Sequence, residues 1–257
     1  ETDYVRHHAQ KILAIFAAMR DFARELKAAG HRVRYVAIDD PSNRQQLTAN
    51  LDALVSHYRA TAVEYQLPDE WRLDEQLRAW AKTAAVPVGA VDSEHFYTSR
   101  DEAARLFQGR AQWLMEHFYR QMRVKHQVLL DADNPKRPAG GQWNFDPDNR
   151  KTWKGSPPLP ADWRTPHDHS ALWQTLCDAG VLSFGNPQAA QVAWPLNRAE
   201  ALQHLDAFIN HALPHFGDYQ DALTQQGWRV FHSLLSFALN TKMLNPREVV
   251  ARAEQAW

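Results

Sequence analysis

Over residues 4–91 the chain alternates amphipathic helical stretches with short runs of β-branched residues, and no other feature constrains the fold as much. Between residues 4 and 29 the apolar positions Ile12, Leu13, Phe16, Met19, Phe22, Ala23 and Leu26 recur every three or four residues, and Gly30 is a stop signal. Residues 32–38 (Arg-Val-Arg-Tyr-Val-Ala-Ile) read as a strand that ends in Asp39, Asp40 and Pro41. A helix over 43–58, a strand over 61–65, a helix over 73–84 and a strand over 86–91 follow. Helices alternating with short strands predict an α/β fold with a parallel sheet covered on both faces. The pattern starts on a helix, so the expectation is a Rossmann-like domain whose first, central strand is missing. The opening Glu-Thr-Asp-Tyr in place of Met predicts a processed or trimmed chain.

Thr98 and Ser99 ahead of Asp101 and Glu102 form a good helix start, and helix is expected to run to about residue 130, with a break near Gly109. Residues 131–166 change character, because seven of the 14 prolines lie there. Helix returns over 170–178, 198–212, 216–224 and 233–244, and Asn245, Pro246 and Glu248 form one more helix start. The expected organisation is an α/β domain over 1–130, a linker over 131–197 and the start of an all-α domain over 198–257.

Charge gives no global pull toward nucleic acid, since the net charge is −1, so a DNA-binding surface has to be a local patch. Lys136, Arg137, Arg150, Lys151 and Lys154 form the best such patch, and Arg110, Arg120, Arg123 and Lys125 form a second one. A single cysteine, Cys177, excludes an internal disulfide, points to a reducing, cytoplasmic setting, and reads as a small buried hydrophobe. No apolar run reaches the roughly 20 residues of a membrane span. Glycine-rich nucleotide loops and a nucleophile elbow are absent. His7-His8, the pair His167 and His169, and the pair His211 and His215 lack the geometry or the third ligand of a metal site.

The sharpest local signal is Ser233-Leu234-Leu235-Ser236. Hydroxyls at this spacing at a helix start can cap the helix, or can join its free N–H groups in holding an anion. Asn240 can present its amide to the same ligand.

Tyr219, His232 and Ser233-Leu-Leu-Ser236, with the Asn-Pro-Arg-Glu-Val run at 245–249, resemble in order the first flavin-contacting segment of DNA photolyases and cryptochromes. The whole chain is similar to the bacterial photolyase-related branch that carries an iron–sulfur cluster and repairs (6-4) photoproducts. The motifs behind that likeness are the opening residues 1–8, residues 18–26 and 30–35, Glu70-Trp-Arg72, residues 118–123, and Gly141-Gln-Trp-Asn-Phe-Asp146. The resemblance implies an antenna-binding α/β domain, a linker, and the opening helices of an FAD domain. It implies FAD held by Tyr219, His232, Ser233, Leu234, Leu235, Ser236 and Asn240, and a 6,7-dimethyl-8-ribityllumazine antenna lined by Glu1 and Tyr4.

The same resemblance implies UV-damaged DNA as the substrate of a monomeric, cytoplasmic enzyme. No catalytic residue falls within this chain, and the ligands of the family's 4Fe-4S cluster are expected after Trp257. The Gly-Asp-Gln turn of the family is missing. Two rival readings are a photoreceptor with the same flavin and a ligand-binding module without activity. The 257-residue chain by itself is expected to be inactive in repair.

Overall fold

The computed structural model describes every residue except Glu1 and Asp3. The chain divides into two compact units, Glu1–Glu94 with His167–Val192, and His95–Pro166 with Ala193–Trp257. The architecture is mixed α/β, with small parallel sheets and many helices.

The first unit is built around α1 (Ala9–Ala28), whose inward face is lined by Ile12, Leu13, Ala14, Ala17 and Ala18. The helix starts at His8, whose ring Nδ1 accepts from the Gln10 N–H at 3.2 Å, so this histidine serves as an N-cap. His7–His8 also forms a short strand, β1, paired in parallel with β4 (Ser183–Phe184). The next residue, Gly185, has φ +78°, and a Cβ there would lie 2.2 Å from the His8 ring. Only glycine permits that approach.

β2 (Val63–Gln66) and β3 (Val88–Val91) pair in parallel with Val63 opposite Val88, and α3 (Trp71–Ala81) is the crossover between them. α2 (Leu47–Tyr58) precedes this β-α-β unit, and its Asp52 accepts from the Trp80 indole at 2.8 Å. α6 (Ser170–Asp178) contributes Leu172 and Leu176 to the core of the same unit.

Two expectations change here. Residues 32–38 form no ladder among the described residues, because a strand exists only through a paired neighbour and neither ladder reaches them. Cys177 is exposed, not buried: Leu172 and Leu176 occupy the inner face of α6, and the next residue around the helix turns outward.

The second unit holds α4 (Glu102–Leu106), α5 (Met115–His126), α7 (Arg198–His211), α8 (Leu213–Tyr219), α9 (Ser236–Asn240) and α10 (Pro246–Ala256). Its core combines Trp153, Leu205, Phe208, Phe231, Leu235 and Leu244. The helix expected from 98 to 130 divides into α4 and α5, with Gly109 at φ +74° in the interruption. Pro214 occupies the first turn of α8, where its missing N–H has no intrahelical role. That shifts the helix expected over 216–224 to Leu213–Tyr219. The helix expected over 233–244 is confined to Ser236–Asn240, since Leu234 (φ +56°) and Lys242 (φ +62°) are left-handed and interrupt it on both sides.

Candidate functional site

The 233–236 segment is shaped by its apolar residues. Leu235 is 3% exposed and packs in the core with Phe231 and Ala238, which turns Ser236 outward. Leu234 is left-handed at φ +56° and Leu235 follows at φ −82°, ψ −6°. Successive residues of opposite hand bring their N–H groups toward one side, a concavity suited to anions. The Ser233 hydroxyl accepts from the Leu235 N–H at 3.4 Å, and the first N–H groups of α9 have no partner within the helix. Those N–H groups and the exposed Ser236 hydroxyl are the donors this segment offers.

Tyr219 closes α8, and its ring lies 5.5 Å from that of Phe231. Its hydroxyl donates to the Ser156 carbonyl at 3.5 Å. His232 is exposed, 5.9 Å and edge-on from Phe216, and Asn240 is exposed at the end of α9. Tyr219 meets Phe231 and His232 meets Phe216, all within the second unit. A cavity of about 730 Å³ in that unit, mostly apolar, is lined by Phe216 and Gly217 but by none of Tyr219, His232 or residues 233–236.

The linker basics divide. Arg150 pairs with Asp221 at 3.4 Å and Lys151 with Asp218 at 2.7 Å, which raises the Lys151 pKa chiefly through its hydrogen bond to Asp218. Two backbone hydrogen bonds, Lys151 to Asp218 and Asp221 to Asn149, fasten the same stretch. Lys136, Arg137 and Lys154 are exposed, and among the described residues no acid pairs with them. In the second basic group Arg110 is exposed, and the other three cations are engaged. Arg123 is 7% exposed and donates to the Val128 and Leu129 carbonyls, Arg120 pairs with Glu116, and Lys125 pairs with Glu102.

In the first unit, the Arg72 guanidinium lies 3.4 Å from the centre of the Tyr4 ring and is held by Glu70 at 2.8 Å. One face of Tyr4 is therefore covered by a cation. Glu1 lies outside the described residues. Among the described residues no three His, Cys, Asp or Glu side chains gather to hold a metal. A four-iron cluster needs four ligands and this chain has one cysteine, so its residues do not fit that group.

Sequence reasoning missed a group beside the segment. Arg229, 7% exposed, donates to the Pro160 carbonyl at 3.0 Å and to that of Ala161. Its guanidinium lies 4.0 Å from the centre of the Trp163 ring. Arg164 forks onto Asp162 at 2.9 and 2.7 Å, and this hydrogen bonding lowers the Asp162 pKa to about 2. His204 of α7, 4% exposed, meets Trp163 edge-on at 5.7 Å. The one available signal was an arginine between aromatics at 228–231, just ahead of the serines.

The comparisons with known proteins define the class as photolyase-related. Residues 1–192 match the family of deoxyribodipyrimidine photo-lyase-related proteins. The chain is also 34% identical over 262 positions to the (6-4) photolyase of Agrobacterium fabrum, covering 100% of this chain and 50% of that protein. The chain belongs to the photolyase-related family. It spans about half the length of the curated relative it matches.

Proposed function

We propose that this chain supplies the first part of a light-driven DNA repair flavoprotein acting on UV-induced pyrimidine dimers, (6-4) photoproducts in particular. In this reading residues 1–130 are the antenna-binding domain, 131–197 the linker and 198–257 the start of the helical FAD-binding domain. The observation that carries it is the left-then-right-handed turn at Leu234 and Leu235, which leaves Ser236 exposed at the start of α9.

Ser233, Leu234, Leu235 and Ser236 would hold the FAD diphosphate, with Tyr219, His232 and Asn240 around it. When bound and reduced, FAD supplies the light-driven electron that splits the dimer. The chain's own residues bind and orient. Lys136, Arg137 and Lys154 would meet DNA phosphates, with Arg150 and Lys151 joining if they exchange Asp221 and Asp218 for phosphate. The likeness extends the proposal to a lumazine antenna at Tyr4. With one ring face under Arg72, a flat heterocycle stacks on the opposite face or displaces the guanidinium.

The test is a flavin-fluorescence titration of the chain with FAD. Binding is expected for the unaltered chain, with Ser236→Asp weakening it at least tenfold, because a carboxylate beside a phosphate repels it. An unchanged affinity in Ser236→Asp would remove the serine turn from the flavin site.

A further inference from the structure

We propose that Trp228 is a stacking platform for an unpaired base of a DNA strand, with Lys154 near it to receive the strand's phosphate. The proposal rests on the DNA reading given above and names how one nucleotide would be gripped. Trp228 is 65% exposed, whereas the three residues after it, Arg229, Val230 and Phe231, are buried. That buried run anchors the loop, and the indole stays at the surface.

Cations brace the ring from the protein side. The Arg164 guanidinium lies 4.8 Å from the centre of the Trp228 ring and 5.3 Å from that of Trp194. Asp162 holds Arg164 by two hydrogen bonds, at 2.9 and 2.7 Å, and the Arg164 side chain is only 14% exposed. Arg229, 5.9 Å from the Trp228 ring, is fixed by the Pro160 and Ala161 carbonyls. An indole covered on both faces would keep far less than 65% of its area, so one face of Trp228 is open. A ring already held in place loses little freedom when a base stacks on it, and every base has a face to offer.

Charge points the same way. Two guanidinium groups stand here against the one carboxylate of Asp162, and Arg229 Nη1 is buried with no hydrogen-bond partner among the described residues. The 153–159 stretch brings a further cation. A Cβ on Gly155 would lie 4.0 Å from the Gln226 side-chain oxygen, and one on Gly227 would lie 2.3 Å from Leu159, so this stretch runs along the loop that carries Trp228. Lys154 precedes Gly155 and is exposed, with no acid paired to it among the described residues. Trp153 before it is buried, and its indole donates to the Pro157 carbonyl at 2.8 Å, which fixes the backbone from which Lys154 projects. An open aromatic face with cations around it holds a single strand by base on ring and backbone on charge.

The experiment is fluorescence anisotropy of the whole 257-residue chain with labelled oligothymidylate, an abasic strand of the same length, and a duplex with or without UV irradiation. Trp228→Leu is expected to weaken oligothymidylate binding at least about fivefold and to leave the abasic strand unchanged, with Trp228→Phe restoring part of the loss. Lys154→Ala is expected to weaken both strands and to lower the slope of log affinity against log salt by about 0.7. No binding of oligothymidylate, or a Trp228→Leu effect that is absent or equal on the two strands, would overturn the proposal. So would a Trp228→Leu chain that loses FAD but not oligothymidylate, since the ring would then serve the flavin. Should Trp228→Leu fail to fold, the unaltered chain decides, and equal affinity for the two strands overturns the platform. The irradiated duplex separates the two ideas. A preference for it that Trp228→Leu leaves intact would strike the platform and keep the DNA reading. Single-strand binding that depends on Trp228, with no preference for the irradiated duplex, would keep the platform and strike the repair reading.

Discussion

In the first unit the irregular backbone is satisfied by groups two to four residues away, whereas in the second, arginine side chains do much of it, from five to 69 residues away. The left-handed residues Gln45 and Gln188 of the first unit each donate their N–H to an asparagine two positions back, Asn43 at 2.8 Å and Asn186 at 2.9 Å. Arg59, also left-handed, ends α2 through the Ser56 carbonyl. In the second unit Arg123 holds the carbonyls on either side of the turn into left-handed Leu129. Arg198 holds the Met243 carbonyl next to left-handed Lys242 at 2.9 Å, and Arg229 holds Pro160 and Ala161. A loop carbonyl removed from water needs a donor. In the first unit these left-handed N–H groups find acceptors on near neighbours, and in the second the carbonyls find their donor on an arginine side chain.

The largest effect is expected where this long-range arrangement meets the core. Phe231 is 1% exposed and touches His215 and Tyr219, so Phe231→Ala should lower stability by about 3–5 kcal/mol. Denaturant unfolding measures the loss, and hydrogen exchange should place it in α7 and the 229–240 stretch. A loss under about 1 kcal/mol would mean that the aromatic group does not carry the second unit.

Acid should act on the second unit through His204. Its folded pKa is lowered to about 4, with burial the first cause, against 6.5 for the free ring. The unfolded chain therefore takes up the proton first as pH falls. The contribution is fully present above about pH 6.5 and is lost progressively toward pH 4, on the order of 3 kcal/mol in all. Unfolding measured from pH 7.5 to 4.5 should show a slope that His204→Gln flattens, and an identical slope in both proteins would refute the assignment.

These contrasts explain what could be read in the amino-acid sequence. α10 begins where Asn245 announces it, and α7 and α6 begin at residues 198 and 170 as their periodicity led one to expect, because caps and periodicity are local. The β2–β3 pair was legible for the same reason. Residues 32–38 have strand-like composition, but pairing depends on a neighbour that composition does not name. At the candidate site the two serines were visible as residue types. The turn between them was not, since leucine has no preference for positive φ and only the packing of Leu235 imposes it. Arg123 read as one cation in a basic patch, and its burial depends on carbonyls that become irregular only in the folded chain.

Arg123→Met tests that point. Methionine fills much of the same volume but leaves the Val128 and Leu129 carbonyls without their donor, which should destabilise the chain by about 1–3 kcal/mol. Exchange should quicken at residues 127–130, beside the left-handed Gln127 and Leu129. An unaltered midpoint would show that water substitutes for the guanidinium and would erase the contrast between the two units.

The smallest effect belongs to an arginine of the other kind. Arg24 on α1 pairs with Asp21 at 2.9 Å, three residues away, and its side chain is 71% exposed. Water already solvates that guanidinium, and no backbone carbonyl depends on it, so Arg24→Ala should shift stability by less than about 0.5 kcal/mol. Salt should not change the result, because there is little attraction to screen. A loss comparable to that of Arg123→Met would show that the first unit, too, rests on its arginines, and the distinction between local and long-range satisfaction of the backbone would fail.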